Sequence, residues 1–313
     1  MESTISPPQL ELKHMGTLEV KLIQAQGLAN KDLIGKSDPY AKLYTRNLHS
    51  MIQTSKVIDN HLNPIWNEHF EFVVDDTSTQ NLTVEIYDED TLLQSSELIG
   101  CAQVKLSEIE PGKLKDVWLK LVEDLENYKE NEDQGNVHLE LLYFPDGSEN
   151  EFTNPFSSNF SMMFLEDDSG GENGDEISNK RRVVITRGVL SVTVISAEDL
   201  PPADLMGKAD PFVVLTMKKT GTKNKTGIIK EELNPTWNET FDFNVEDGLH
   251  DLLVLEVWDH DTFGKDFMGR CILTLTRVIL EGEYVDSFQV EGAKSGKLNL
   301  NLKWIGQRIY RKS

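Results

Sequence analysis

This chain of 313 residues has only two cysteines, Cys101 and Cys271, too few for a disulfide framework and without partners at metal-ligand spacing. No apolar run approaches the roughly 18 residues that a membrane-crossing helix needs, and no charged-then-apolar leader opens the chain. Basic residues are scarce beside acidic ones, 31 against 53, for a net charge of −22. That argues against nucleic acid as the main partner, because binding the phosphate backbone depends on Lys and Arg. The full Gly-x-x-x-x-Gly-Lys-Ser/Thr phosphate loop and the Gly-x-Ser-x-Gly elbow are both missing, so no catalysis is expected. What remains is an ordinary globular mix, 38% hydrophobic and 27% charged, of a length that suggests two domains in a soluble, cytoplasmic chain with no transmembrane segment.

An internal repeat settles the organisation. Gly16-Thr-Leu-Glu-Val recurs as Gly188-Val-Leu-Ser-Val, and Asp32-Leu-Ile-Gly-Lys-Ser-Asp-Pro-Tyr40 as Asp204-Leu-Met-Gly-Lys-Ala-Asp-Pro-Phe212. Leu62-Asn-Pro-Ile-Trp-Asn67 returns as Leu233-Asn-Pro-Thr-Trp-Asn238, and Leu82–Asp90 as Leu253–Asp261. An offset this long means a duplicated domain. Leu18-Glu-Val-Lys-Leu-Ile, His69-Phe-Glu-Phe-Val, Phe241-Asp-Phe-Asn-Val and Leu298-Asn-Leu-Asn-Leu alternate apolar and polar residues, the signature of half-buried strands. About eight short strands per unit, with turn residues between them, predict an all-β protein of two antiparallel sandwiches. Cys101 and Cys271 fall in the sixth strand of each unit and are expected to be buried, and Trp66 and Trp237 to serve the core.

The predicted limits are 10–145 for the first domain, 146–185 for a flexible acidic linker, 186–306 for the second domain and 307–313 for a basic tail. The linker is rich in Asp, Glu, Ser, Asn and Gly. Its Phe152, Phe156 and Phe160 are too apolar for a pure spacer, and Asn154-Pro-Phe156 reads as a short docking tripeptide for a protein partner. Residues 1–144 carry 12 basic and 25 acidic groups, whereas residues 183–313 carry 16 and 19, so the two domains should differ in their partners.

The chemistry lies in the spacing of the carboxylates. In the first unit Asp32 and Asp38 bracket a loop after the first strand, Asp88 and Asp90 end the fifth strand, and Glu97 follows. Asp204, Asp210, Asp259, Asp261 and Asp266 hold the matching places in the second. Loops at one end of a sandwich meet in space, so five carboxylates per unit could converge. Such crowding is costly without a cation, and an all-oxygen donor set suits Ca²⁺ better than Mg²⁺ or zinc.

Ser37-Asp-Pro-Tyr40, Leu62-Asn-Pro-Ile-Trp66, Tyr87-Asp-Glu-Asp90 and their counterparts resemble C2 domains. With Gly207-Lys-Ala-Asp210, Val257-Trp-Asp-His-Asp261 and Lys294-Ser-Gly-Lys297, the pair is most similar to the C-terminal half of plant synaptotagmins, relatives of the extended synaptotagmins. The first strand leads straight into the Asp32 or Asp204 loop and a further strand closes each unit, which resembles the phospholipase-type strand permutation. The resemblance implies calcium-dependent phospholipid binding, with about two Ca²⁺ per domain on the carboxylates named above and fewer in the first, where Glu97 departs from the usual Asp. It further implies peripheral attachment at contacts between endoplasmic reticulum and plasma membrane. The upstream membrane anchor and lipid-transfer domain of such proteins are not found in these residues. The alternative is a calcium-independent scaffold that uses the C2 surfaces and the linker.

Membrane contact is expected from apolar loop tips: Leu33, Ile34, Leu92 and Leu93 in the first domain, Leu205, Met206 and Phe263 in the second. Lys218, Lys219, Lys223, Lys225 and Lys230 are expected on two adjacent strands of the second domain. A basic cluster of this kind beside a membrane-binding element reads as a site for anionic lipids and phosphoinositides. The first domain has no comparable cluster.

Overall fold

The computed structural model describes residues 15–32, 35–45, 52–90, 95–126, 133–148, 151–152, 154–156, 186–202, 208–261 and 264–307, the side chain of Asp90 excepted. They fall into two compact units. In the first, β1 (Gly16–Gln26), β2 (Pro39–Thr45), β3 (Gln53–Thr54), β4 (Ile65–Val74), β5 (Asn81–Asp90), β6 (Ser95–Lys105), β7 (Lys115–Lys120) and β8 (Asn136–Pro145) form two four-stranded antiparallel sheets, ordered β4-β1-β8-β7 and β3-β2-β5-β6. The second unit repeats the plan with β9 (Gly188–Glu198), β10 (Pro211–Met217), β11 (Lys223–Lys225), β12 (Thr236–Val245), β13 (Leu252–Asp261), β14 (Gly264–Thr274), β15 (Glu283–Gln289) and β16 (Lys297–Gly306), ordered β12-β9-β16-β15 and β11-β10-β13-β14. The six-residue α1 (Thr276–Glu281) precedes β15. Among the described residues no helix is long and apolar enough to cross a membrane.

Alternation places the cores where it predicts. Leu18, Val20 and Leu22 of β1 meet Leu139 and Leu141 of β8 and Val84 and Ile86 of β5, all fully buried. Leu190, Val192 and Val194 of β9, Leu300 and Leu302 of β16, and Leu255 and Val257 of β13 do the same in the second unit. Each such side chain contributes about 1.5–3 kcal/mol on leaving water. Phe156 packs against the second core. One expectation is corrected: β1 is buried on both faces, Glu19, Lys21 and Ile23 included, whereas its twin β9 alternates as a half-buried strand should.

The repeated Leu-Asn-Pro-x-Trp-Asn has a structural reason at each position. The Leu62 and Leu233 carbonyls accept the Leu28 and Leu200 N–H groups at 3.0 and 3.1 Å. Asn63 and Asn234 accept the N–H groups of Gly27 and Asp199 at 2.8 and 2.9 Å. The Pro64 and Pro235 carbonyls accept Ala25 and Ala197 N–H. The Trp66 and Trp237 indoles donate to the Lys56 and Gly227 carbonyls at 3.0 and 2.9 Å. Asn67 and Asn238 sit at φ of 51° and 52°, left-handed backbone that Asn tolerates better than most residues. This segment therefore ties the connection before β4 or β12 to the end of β1 or β9, beside the carboxylate loops.

Candidate functional site

The carboxylates are positioned by strand register. Asp88 lies opposite both Pro39 and Glu97, and Asp259 lies opposite both Pro211 and Asp266. A bulge between Ile86 and Tyr87, and its twin between Val257 and Trp258, sits just before these acids and re-aims the strand end. The Asp38 N–H donates to Asp88 Oδ1 at 2.7 Å, and the Asp210 N–H to Asp259 Oδ1 at 2.5 Å. Asp38 and Asp210 in turn accept the backbone N–H of Asn60 at 2.6 Å and of Glu231 at 2.8 Å, both of which adopt left-handed φ. Asp88 and Asp259 are only 4% and 3% exposed, so two carboxylates are held almost out of water at the same end of each sandwich. Charged groups are rarely buried so fully without a partner. Among the described residues no hydrogen bond reaches the second carboxylate oxygen of either.

The loop carrying Asp32 is closed by Asn30. Its amide donates to the Asp32 and Gly35 carbonyls at 3.2 and 3.0 Å, and its Oδ1 accepts the Ser37 N–H at 2.9 Å. Lys31 Nζ reaches Glu97 Oε1 at 3.6 Å.

The lysines of the second unit need a correction. Only Lys223 and Lys225 lie on a strand; Lys218 and Lys219 occupy the turn after β10, and Lys230 lies in the loop after β11. A seven-residue strand ends at Met217 because the chain must reverse through Thr220-Gly221, where Gly221 takes φ of 70°. Lys223 and Lys225 stand opposite Thr216 and Val214 and share their outward face with Arg270, which lies opposite Glu256 across β13. Burial and then the Arg270 guanidinium hold the Lys218 ammonium below its ordinary pKa. Lys219 Nζ is 2.9 Å from Asp247, whose carboxyl is held below the usual range because hydrogen bonds from His250 and Lys219 outweigh its desolvation.

The C2 domain family matches residues 16–121 and 188–290. The chain belongs to the C2 domain family. Synaptotagmin-5 and Synaptotagmin-4 of Arabidopsis thaliana are 63% and 57% identical to it, over 97% and 94% of this chain and 54% and 53% of theirs. The chain thus spans about half the length of the curated relatives it matches. A "Calcium-dependent lipid-binding protein" of the same plant is 35% identical over 59% of this chain and 33% of its own. Among solved structures, a single C2 domain of a plant Extended Synaptotagmin 1 is 34% identical, covering 42% of this chain and 95% of its own at a TM-score of 0.39.

In each C2 domain the structure links two of the expected ligand residues through a backbone N–H, Asp38 to Asp88 and Asp210 to Asp259, and register places Glu97 and Asp266 opposite Asp88 and Asp259 on the neighbouring strand. Asp90 and Asp261 end the hairpin strands opposite Ser95 and Gly264. Asp204, Leu33, Ile34, Leu92, Leu93, Leu205, Met206 and Phe263 lie outside the described residues. Among the described residues no three His, Cys, Asp or Glu side chains are close enough to hold a metal ion; Asp204 and the Asp90 side chain, one expected member in each domain, fall outside that description. The expected donors are all carboxylate oxygens, the kind Ca²⁺ takes, while Cys101 and Cys271 are buried with their thiols 3.3 Å from the Val122 and Gln289 carbonyls. Sequence reasoning missed Lys31, Asn30 and the aromatic edge beside Asp266. There Lys265 Nζ stands 3.5 Å over the Trp258 ring, and Phe267, 50% exposed, meets Trp258 edge to face. Strand alternation around Asp266 carried the signal for Phe267; pairing across loops carried no local signal for Lys31.

Proposed function

We propose that this tandem C2 protein binds anionic phospholipid membranes in a calcium-dependent way and so targets or tethers membranes, as at contacts between endoplasmic reticulum and plasma membrane. The observation that carries this reading is the pair of nearly buried carboxylates, Asp88 on Asp38 and Asp259 on Asp210, built identically at one end of each sandwich. Asp32, Asp38, Asp88, Asp90 and Glu97 would hold the ion in the first domain, and Asp204, Asp210, Asp259, Asp261 and Asp266 in the second. About two Ca²⁺ per domain would supply positive charge and open coordination positions for lipid phosphate oxygens. By themselves the five carboxylates oppose an anionic leaflet by about 5 kcal/mol, at about 1 kcal/mol per charge. The apolar tips Leu33, Leu92, Leu93, Leu205 and Phe263 add burial, and Lys223 and Lys225 add attraction to phosphoinositides. The kinship with a calcium-dependent lipid-binding protein supports the reading. The role is that of a peripheral binding protein, not a catalyst, with domain limits of 10–145 and 186–306.

The test is co-sedimentation with phosphatidylserine and phosphoinositide vesicles, in calcium or chelator, for the wild type and Asp259→Asn/Asp261→Asn. Calcium-dependent pelleting that the variant loses supports the reading. Pelleting indifferent to calcium moves the function to the lysine face. No pelleting at all turns it into that of a protein scaffold.

A further inference from the structure

Because the two domains are twins, each is a control for the other. Their core-facing sides match, but the outward sides of the sheets built on β1 and β9 do not. In the second domain Ser191, Thr193, Asn299 and Asn301 are half-buried and Thr240 is exposed, an ordinary solvated face. At the matching places in the first domain, Glu19, Lys21 and Glu140 are 1%, 2% and 4% exposed. Register sets Lys21 between His69 and Glu140. Ile23, His138 and Leu142 on the same face are buried as well. Charged side chains do not reach this degree of burial on a free sheet face, so the face is covered.

The chain itself supplies a cover. After β8 it turns at Gly147, and the Glu151 and Phe152 N–H groups donate to the Ser148 carbonyl at 2.8 and 2.9 Å. The Phe152 ring then takes the space above Gly112. A Cβ there would lie 2.1 Å from the ring, so only glycine leaves the seat open, and its φ of 69° favours glycine in any case. Two residues on, the Asn154 amide donates to Glu19 Oε1, while His69 Nε2 holds Glu19 Oε2 at 2.7 Å. Among the described residues the second domain has none of these parts. Ser191 replaces Glu19, Thr240 replaces His69 and bonds Thr193 at 2.8 Å, and Gly282, in the loop matching Gly112, faces open space.

We infer that the outward face of the β4-β1-β8-β7 sheet is a docking surface for the chain's own segment that begins at Ser148, with Phe152 as its plug and Asn154 as its latch on Glu19. A protein partner that takes this face must displace that segment, and Asn154 is an internal contact instead of a free docking motif.

The experiment is amine footprinting of the full-length chain, read at Lys21 against the exposed Lys56, with hydrogen exchange read at Glu151 and Phe152. In the wild type Lys21 should label far more slowly than Lys56, and both amides should be protected. In Phe152→Ala/Asn154→Ala, Lys21 labelling should rise several-fold and the protection should vanish. Should circular dichroism show that the double variant has lost its fold, Asn154→Ala alone carries the comparison. Lys21 staying slow in a folded variant, or labelling like Lys56 in the wild type, overturns the inference.

Discussion

Lys31 stands 3.6 Å from Glu97 at the carboxylate end of the first domain, and Ala203 holds its place in the second. The ammonium is a tethered cation where calcium is proposed to bind, so calcium must compete with it. Ion pairs this exposed are worth about 0.2–1 kcal/mol. Lys31→Ala should therefore tighten calcium binding by the first domain by up to about fivefold. Calorimetric titration in an Asp259→Asn/Asp261→Asn background reads this directly. Unchanged or weaker binding would remove Lys31 from the site.

Gly16 and Gly188 open the first strands of the two domains, and at each a Cβ would lie 2.3 Å from a carbonyl oxygen, of Phe144 or Ile305. Those oxygens belong to the neighbouring strands β8 and β16, which cannot retreat without breaking ladder bonds. Gly16→Ala and Gly188→Ala should each destabilise their own sandwich by about 1–3 kcal/mol, as overpacking does. Denaturant unfolding should show one transition shifted and the other unmoved. A shift in neither would mean that the strands separate at little cost.

On the second domain the lysines should differ in effect. Lys219 is already partnered by Asp247 at 2.9 Å, whereas Lys223 and Lys225 share an exposed strand face. At about 1 kcal/mol per charge near an anionic surface, Lys223→Ala/Lys225→Ala should cost about 2 kcal/mol of vesicle affinity, and Lys219→Ala clearly less. Both losses should shrink as salt rises. Vesicle flotation at two salt concentrations checks the order; equal losses would mean that Asp247 does not offset Lys219.

Tyr87 should titrate late. Burial, followed by its 2.9 Å hydrogen bond to Glu85, pushes its phenol up to about 12. The folded state holds this proton more tightly than the unfolded chain, whose phenol titrates near 10. The resulting stability is complete below about pH 10 and is lost as pH rises towards 12. Ultraviolet titration of phenolate should show a late phenol that Tyr87→Phe removes, leaving Tyr143, also pushed up to about 12 by burial. If the late absorbance survives in full, the Tyr87 environment is wetter than its contacts imply.

The sequence by itself determined the duplication, the strand count, the core side of each strand and the candidate carboxylates. These are local properties. A period of two assigns a side chain to one face, and a repeated motif carries its own turn chemistry, as Asn67 and Asn238 show with their left-handed backbone. Only the tertiary structure decided what lies on the far side of a strand and which charges meet across loops. Glu19 and Ser191 occupy matching places with the same alternation, yet one is buried beneath Asn154 and the other is half-exposed. Lys31 and Glu97 are separated by four of the domain's eight strands and meet because β2 pairs with β5 and β5 with β6. Alternation records which way a side chain points; what it meets there depends on chain packed against it from elsewhere.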